Sequence, residues 1–141
     1  MSADVASADN RVLDGYASFQ DKGPPAAGYR LTILTAGLSV SVDERVRVLH
    51  VCESVSADAP LYVMGPKPVW DEYVDDALAT AEPPQGEDPF VPSSYDGRVL
   101  DGPGIDTNYD VTEYSFGVAG THTVQWRLGG KASNTLRFTV E

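Results

Sequence analysis

From residue 29 onward, apolar side chains recur at every second position. Tyr29, Leu31 and Ile33 share one face of 29–35, and 38–42 alternates strictly before Asp43-Glu44 turns the chain. Val46, Val48, His50 and Cys52 then share one face of 45–52. A period of two carried by β-branched residues predicts strands that are apolar on one side. A further short strand is predicted at 61–64, bounded by Pro60 and by Gly65-Pro66-Lys67-Pro68. Segments 69–74 and 77–80 flank Asp75-Asp76, the pattern of a tight hairpin. A short helix over 70–81 is the competing prediction, because Ala and Leu favour it. Val69, Tyr73 and Val74 favour the hairpin.

The last third alternates most clearly. A strand is predicted over 109–116, and Gly117-Val118-Ala119-Gly120 turns the chain. Segment 121–128 then places His122, Val124, Trp126 and Leu128 inward. Gly129-Gly130-Lys131 marks a hairpin turn, and Leu136, Phe138 and Val140 form the inner face of the final strand. Residues 83–104 hold five Pro and four Gly, so no regular element passes through them apart from a short edge piece at Arg98-Val99-Leu100. Residues 1–28 show little periodicity and read as a flexible amino-terminal arm that docks through Tyr16 and Phe19. Residues 29–141 read as one all-β domain, an antiparallel sandwich of about seven to nine strands with a long Pro/Gly-rich acidic loop.

Length and charge narrow the function classes. At 141 residues one domain is the default, large enough to bury a core without staples. A single cysteine forms no internal disulfide and no Cys-rich zinc module. No apolar run reaches the roughly 18 residues of a membrane span. The opening Met1-Ser2-Ala3-Asp4 lacks the basic and apolar stretches of a signal peptide, so a cytoplasmic location is the default expectation. The formal charge is −11, and residues 71–110 carry eleven acids against Arg98 alone. Such a surface repels phosphate backbones and anionic membranes, so neither nucleic acid nor membrane is an expected partner. It fits either a solvated loop face or a surface that steers a basic protein partner.

The stretch Phe116-Gly117-Val118-Ala119-Gly120-Thr121-His122-Thr123-Val124-Gln125-Trp126 resembles the E–F corner of immunoglobulin-like domains. In that family a glycine turn leads into strand F, and an aromatic residue two positions before an inward one bonds back across the corner. The resemblance implies that role for His122, two positions before Val124. Here His replaces Tyr, Val124 stands where antibody-type domains have Cys, and Cys52 lacks a partner. The pattern is therefore similar to bacterial immunoglobulin-like modules that dispense with the disulfide. Gly120-Thr121-His122 and Arg137-Phe138-Thr139-Val140 also resemble the carboxy-terminal strands of chagasin-type cysteine-protease inhibitors. The Asn-Pro-Thr-Thr-Gly inhibitory loop of those proteins is absent.

Little in the sequence suggests catalysis. His50 and His122 both fall on inward faces, Cys52 follows His50 by two, and the ordinary role of such a set is core packing. A copper or zinc site is the sharper alternative. Asp106-Thr107-Asn108-Tyr109-Asp110 has the D-x-N-x-D spacing that begins many calcium loops, which makes Asp106, Asn108 and Asp110 a calcium candidate. Val111 replaces the glycine such loops carry at the sixth position, and Gly117 replaces the glutamate at the twelfth. Asp75 and Asp76 lie at a solvated turn, which does not raise a carboxyl pKa for acid–base work. No phosphate-binding loop, G-x-S-x-G or H-E-x-x-H is present.

The expectation is a non-catalytic binding module that needs no cofactor. It engages a protein partner through about 70–110, using Trp70, Tyr73, Asp75, Asp76, Phe90 and Tyr95. A calcium-assisted carbohydrate-binding module and a protease inhibitor are the alternatives.

Overall fold

The computed structural model describes residues 3–63, 66–83, 85 and 98–141. It begins with helix α1 (Ala3–Asp14) and a 3-10 turn at Tyr16–Ser18, followed by β1 (Pro25–Ala26), β2 (Tyr29–Leu34), β3 (Ser39–Val40) and β4 (Val46–Ser54). Then come β5 (Leu61–Val63), β6 (Glu72–Val74), β7 (Ala77–Leu78), β8 (Arg98–Leu100), β9 (Gly104–Asp106) and β10 (Thr112–Tyr114). The chain ends with β11 (Gly120–Trp126), a 3-10 turn at Leu128–Gly130 and β12 (Thr135–Val140). The protein is mostly β, with one short helix among the described residues.

One sheet runs β1-β2-β4, and β4 carries two strands along its far edge, β10 at the Val46 end and β9 at the Ser54 end. The other runs β3-β12-β11-β6-β7, and β5 and β8 form a separate pair. Strand pairing among the described residues is antiparallel except between β3 and β12, which run parallel. One core lies between the two large sheets. Leu31, Ile33, Val46, Val48 and Cys52 enter it from the first, and Val124, Trp126, Leu136, Phe138 and Val140 from the second. These are the positions that the period of two assigns inward. The Trp126 ring meets His50 and Tyr109 edge-on, each with centroids 5.0 Å apart, and its Nε1–H donates to the Trp70 carbonyl at 2.9 Å.

Strand β4 is buried on both faces, because its outward Leu49 and Val51 are covered in their turn. The cover is the amino-terminal segment. Where the sequence suggests only a docked arm, Ala3–Asp14 is helical. Val12 and Leu13 pack with Tyr16 and Phe19 against Leu34, Leu49 and Val51. Two adjacent apolar residues make too narrow a stripe to register as a helical period. The helix is tied down by Arg47, which pairs with Asp9 at 2.8 Å. The Tyr16 hydroxyl donates to Glu53, which also pairs with Arg30 at 2.9 Å. At Gly23 the arm crosses β2 so closely that a Cβ there would collide with the Leu31 carbonyl.

Three strands are shorter than their alternation suggests. Only Ser39–Val40 of 38–42 is strand; Leu38 and Val42 still bond Thr139 and Glu141 through their backbones, but their side chains are exposed. Only Thr112–Tyr114 of 109–116 pairs with β4, because Tyr109 is drawn into a bridge with Lys67. Gly129 and Gly130, both at positive φ, lie in a 3-10 turn within the connection between the antiparallel β11 and β12, and residues 131–134 intervene before β12.

Candidate functional site

The hairpin is present, and its turn is made by two aspartates in left-handed conformation, Asp75 at φ 51° and Asp76 at φ 64°. Two positive φ values give the turn whose twist matches that of the flanking strands. Asp tolerates this region because its short polar side chain satisfies nearby backbone groups. Asp75 Oδ1 accepts the Thr123 N–H at 2.9 Å, and Oδ2 accepts the His122 Nδ1–H at 2.7 Å. Partial burial alone would raise the Asp75 pKa, but His122 and the Thr123 amide outweigh it and hold the carboxyl below its ordinary value.

The outer side of the hairpin is different. Asp76 is 83% exposed and pairs with Arg127 at 2.7 Å, while the same guanidinium lies 4.3 Å from the centre of the Tyr73 ring. Leu78 beside it on β7 is 41% exposed. The neighbouring Asp71 carboxyl is pushed above its ordinary value by partial burial and by the Glu82 carboxylate. Tyr73, Asp76 and Leu78 thus lie on one acidic hairpin. Trp70 is half-buried against the core and contributes chiefly by packing. Phe90 and Tyr95 lie outside the described residues.

Of the calcium candidate, Asp106 is already engaged. Asp106 is buried, its Oδ1 accepts the Asn108 N–H at 2.9 Å, and its Oδ2 lies 2.6 Å from Lys67 Nζ. Asp110 is exposed and is held through its backbone, its N–H donating to the Lys67 carbonyl at 2.9 Å. Lysine therefore supplies the positive charge that a calcium ion would bring. Among the described residues no group of three or more His, Cys, Asp or Glu side chains is placed to hold a metal ion. His50 and His122 do not meet: the first bonds Glu72, the second Asp75.

Two buried pairs of polar side chains escaped sequence reasoning. His50 Nε2 lies 2.5 Å from Glu72 Oε2, and both side chains are fully buried. Thr112 Oγ1–H donates to the other Glu72 oxygen at 2.6 Å, and the Tyr114 hydroxyl donates to it at 2.5 Å. The signal was available in the alternation, since Glu72 shares its parity with the inward-facing Val74 opposite Val124. The second pair, Lys67 and Asp106, had no such signal. Beside it the Cys52 thiol is pushed up to about 11, chiefly by burial, which makes it an inert core group.

Comparison with protein-family models, with curated proteins and with solved structures yields no match. No helix among the described residues is long and apolar enough to cross a membrane.

Proposed function

We propose that the chain is a non-catalytic immunoglobulin-like module that binds a basic protein partner through the acidic face of the β6–β7 hairpin. Support for the fold comes from the partition of strands. β2, β4 and β9/β10 share one sheet and β6, β11 and β12 the other, the chain-order division of the A-B-E and C-F-G strands of that fold. The His122 ring, donating from Nε2 to the Val118 carbonyl at 2.7 Å, also makes the corner bond expected of that family.

Support for binding comes from one observation above the others: Asp76 stands 83% exposed beside the exposed apolar Leu78, on a segment, 71–110, that carries nine acids besides the buried Glu72 and Asp106 against one arginine. An apolar anchor within an acidic rim fits a partner that brings a basic and partly apolar surface. Support for the non-catalytic reading is that each histidine is already engaged, His50 in the core and His122 through both ring nitrogens. A nucleophile needs a base free to take its proton.

Titration with an arginine-rich peptide, followed by calorimetry, tests this reading. Binding at low salt that weakens steeply as salt rises, and that weakens again in Asp76→Asn, is the expected result. A peptide of reversed charge binding equally well, or no binding at low salt, overturns it.

A further inference from the structure

The Lys67–Asp106 pair sits where two segments are already clamped by their backbones. Lys67 N–H donates to the Asn108 carbonyl and Asp110 N–H donates to the Lys67 carbonyl, both at 2.9 Å, so a parallel bridge joins Lys67 to Tyr109. The clamp delivers Nζ to 2.6 Å from Asp106 Oδ2, with side chains only 4% and 2% exposed. At that distance an ammonium and a carboxylate would ordinarily share an aligned hydrogen bond. Here Oδ2 has no aligned donor, so the amine approaches the carboxyl group off the usual hydrogen-bonding direction. The other oxygen, Oδ1, is held by the Asn108 N–H at 2.9 Å. The Tyr109 ring closes the site on one side, its centre 4.5 Å from Nζ, and Cys52 stands opposite Asp106 across the β4–β9 pair.

We propose that Lys67 and Asp106 are joined by an amide bond between Nζ and Cγ, formed within the folded chain and needing no other reactant. Proton transfer inside the pair, from the ammonium to Oδ2, leaves a free amine and a carboxylic acid. Nζ then attacks Cγ, and the Asn108 N–H stabilises the charge that gathers on Oδ1 in the tetrahedral adduct. A second proton passes from nitrogen to Oδ2, the Cγ–Oδ2 bond breaks, and water leaves. The three ammonium protons end as one amide N–H and two water hydrogens, with no change of oxidation state.

Two physical effects favour the step. Fixing amine and carboxyl in contact replaces a bimolecular encounter by an intramolecular one, an advantage measured in effective molarities of about 10⁵ M and above for well-oriented groups. Burial adds a driving force, because the amide replaces two desolvated charges with one neutral group. The bond would close a covalent ring from residue 67 to residue 106, around a segment that carries most of the net negative charge.

The intact mass of the purified, denatured chain tests the proposal directly. The expected mass is that of the sequence less one water, and a glutamyl-endopeptidase digest should yield one branched fragment carrying both Lys67 and Asp106. The Lys67→Arg variant, which keeps the positive charge but replaces the amine, should show the full sequence mass. A natural-sequence chain at full mass with no branched fragment overturns the proposal. So does a Lys67→Arg chain that still lacks one water. Because the first measurement is made on the natural sequence, the answer does not depend on the variant folding.

Discussion

The Glu72 carboxylate crosses the interior from one sheet to the His50 imidazole of the other, 2.5 Å away, with neither side chain exposed. Its second oxygen takes the hydroxyls of Thr112 and Tyr114, so three donors from the opposing sheet converge on one buried anion. An arrangement of this kind fixes the position of one sheet against the other more sharply than apolar packing, since a shifted register leaves a charge unpaired. The energetic contest is visible in the carboxyl group itself. Burial would raise its pKa, yet the His50 charge and hydrogen bond, with the two hydroxyls, hold it below its ordinary value.

Replacing Glu72 should therefore be among the most damaging single changes in the interior. Glu72→Leu strands His50, Thr112 and Tyr114 without an acceptor, at an expected cost of about 3–5 kcal/mol in urea unfolding. Because the folded pKa of Glu72 lies below the unfolded one, its contribution is complete above the ordinary carboxylate range, near pH 4. It is lost as pH falls through the depressed folded value. Glu72→Gln removes the charge while keeping hydrogen-bonding capacity, and should flatten that acid limb. An unchanged acid limb in Glu72→Gln would show that the carboxylate does not set it.

Much of this architecture was legible because its signals are local. Val46, Val48 and Cys52 announce an inner face by alternation, Asp75-Asp76 announces a turn, and the resemblance of 116–126 to a known corner implies a bond from His122 such as the one to Val118. The buried acids were overlooked for the opposite reason, although the parity of Glu72 with Val74 marked one of them. Counting acids along 71–110 places Glu72 and Asp106 in a solvated stretch, whereas each is taken into the interior by a base far away in sequence, His50 and Lys67. Helix α1 was missed because, among the described residues, its attachment relies on a long-range ion pair, Asp9 with Arg47, and on the apolar contact of Val12 and Leu13.

Asn134 offers a test of how the open edge of β2 is satisfied. Its side-chain Oδ1 accepts the Ile33 N–H at 2.8 Å and its Nδ2–H donates to the Ile33 carbonyl at 3.0 Å, standing in for a neighbouring strand where β1 has already ended. Asn134→Ala leaves both buried backbone groups of Ile33 without partners, for which about 1–3 kcal/mol per unsatisfied group is expected. Asn134→Asp restores only the acceptor and should recover part of the loss at most. Denaturant melts of the two variants check the order. A fully stable Asn134→Ala would mean that the edge finds other partners.

His122 links the β6–β7 hairpin to the turn before β11. Nδ1 faces the Asp75 carboxylate and Nε2 faces the Val118 carbonyl, each at 2.7 Å. Both neighbours are acceptors, so both ring nitrogens must carry protons for the two bonds to coexist, and the ring is an imidazolium. The Asp75 hydrogen bond, followed by the one to Val118, raises the His122 pKa accordingly. A raised folded value means that the linkage is complete below the unfolded histidine pKa, near 6.5, and is lost as pH rises through the folded value. Nitrogen-15 spectra of the ring should show both sites protonated at pH 6.5. On raising the pH, one bond should be released, with faster amide exchange around Val118 than base catalysis alone gives. His122→Phe keeps the stacking on Phe116, whose ring centre lies 4.6 Å from that of His122, but cannot hold either bond, so its turn should exchange at the faster rate throughout. A single protonated nitrogen at pH 6.5 would break this account, because a neutral ring cannot donate to both partners at once.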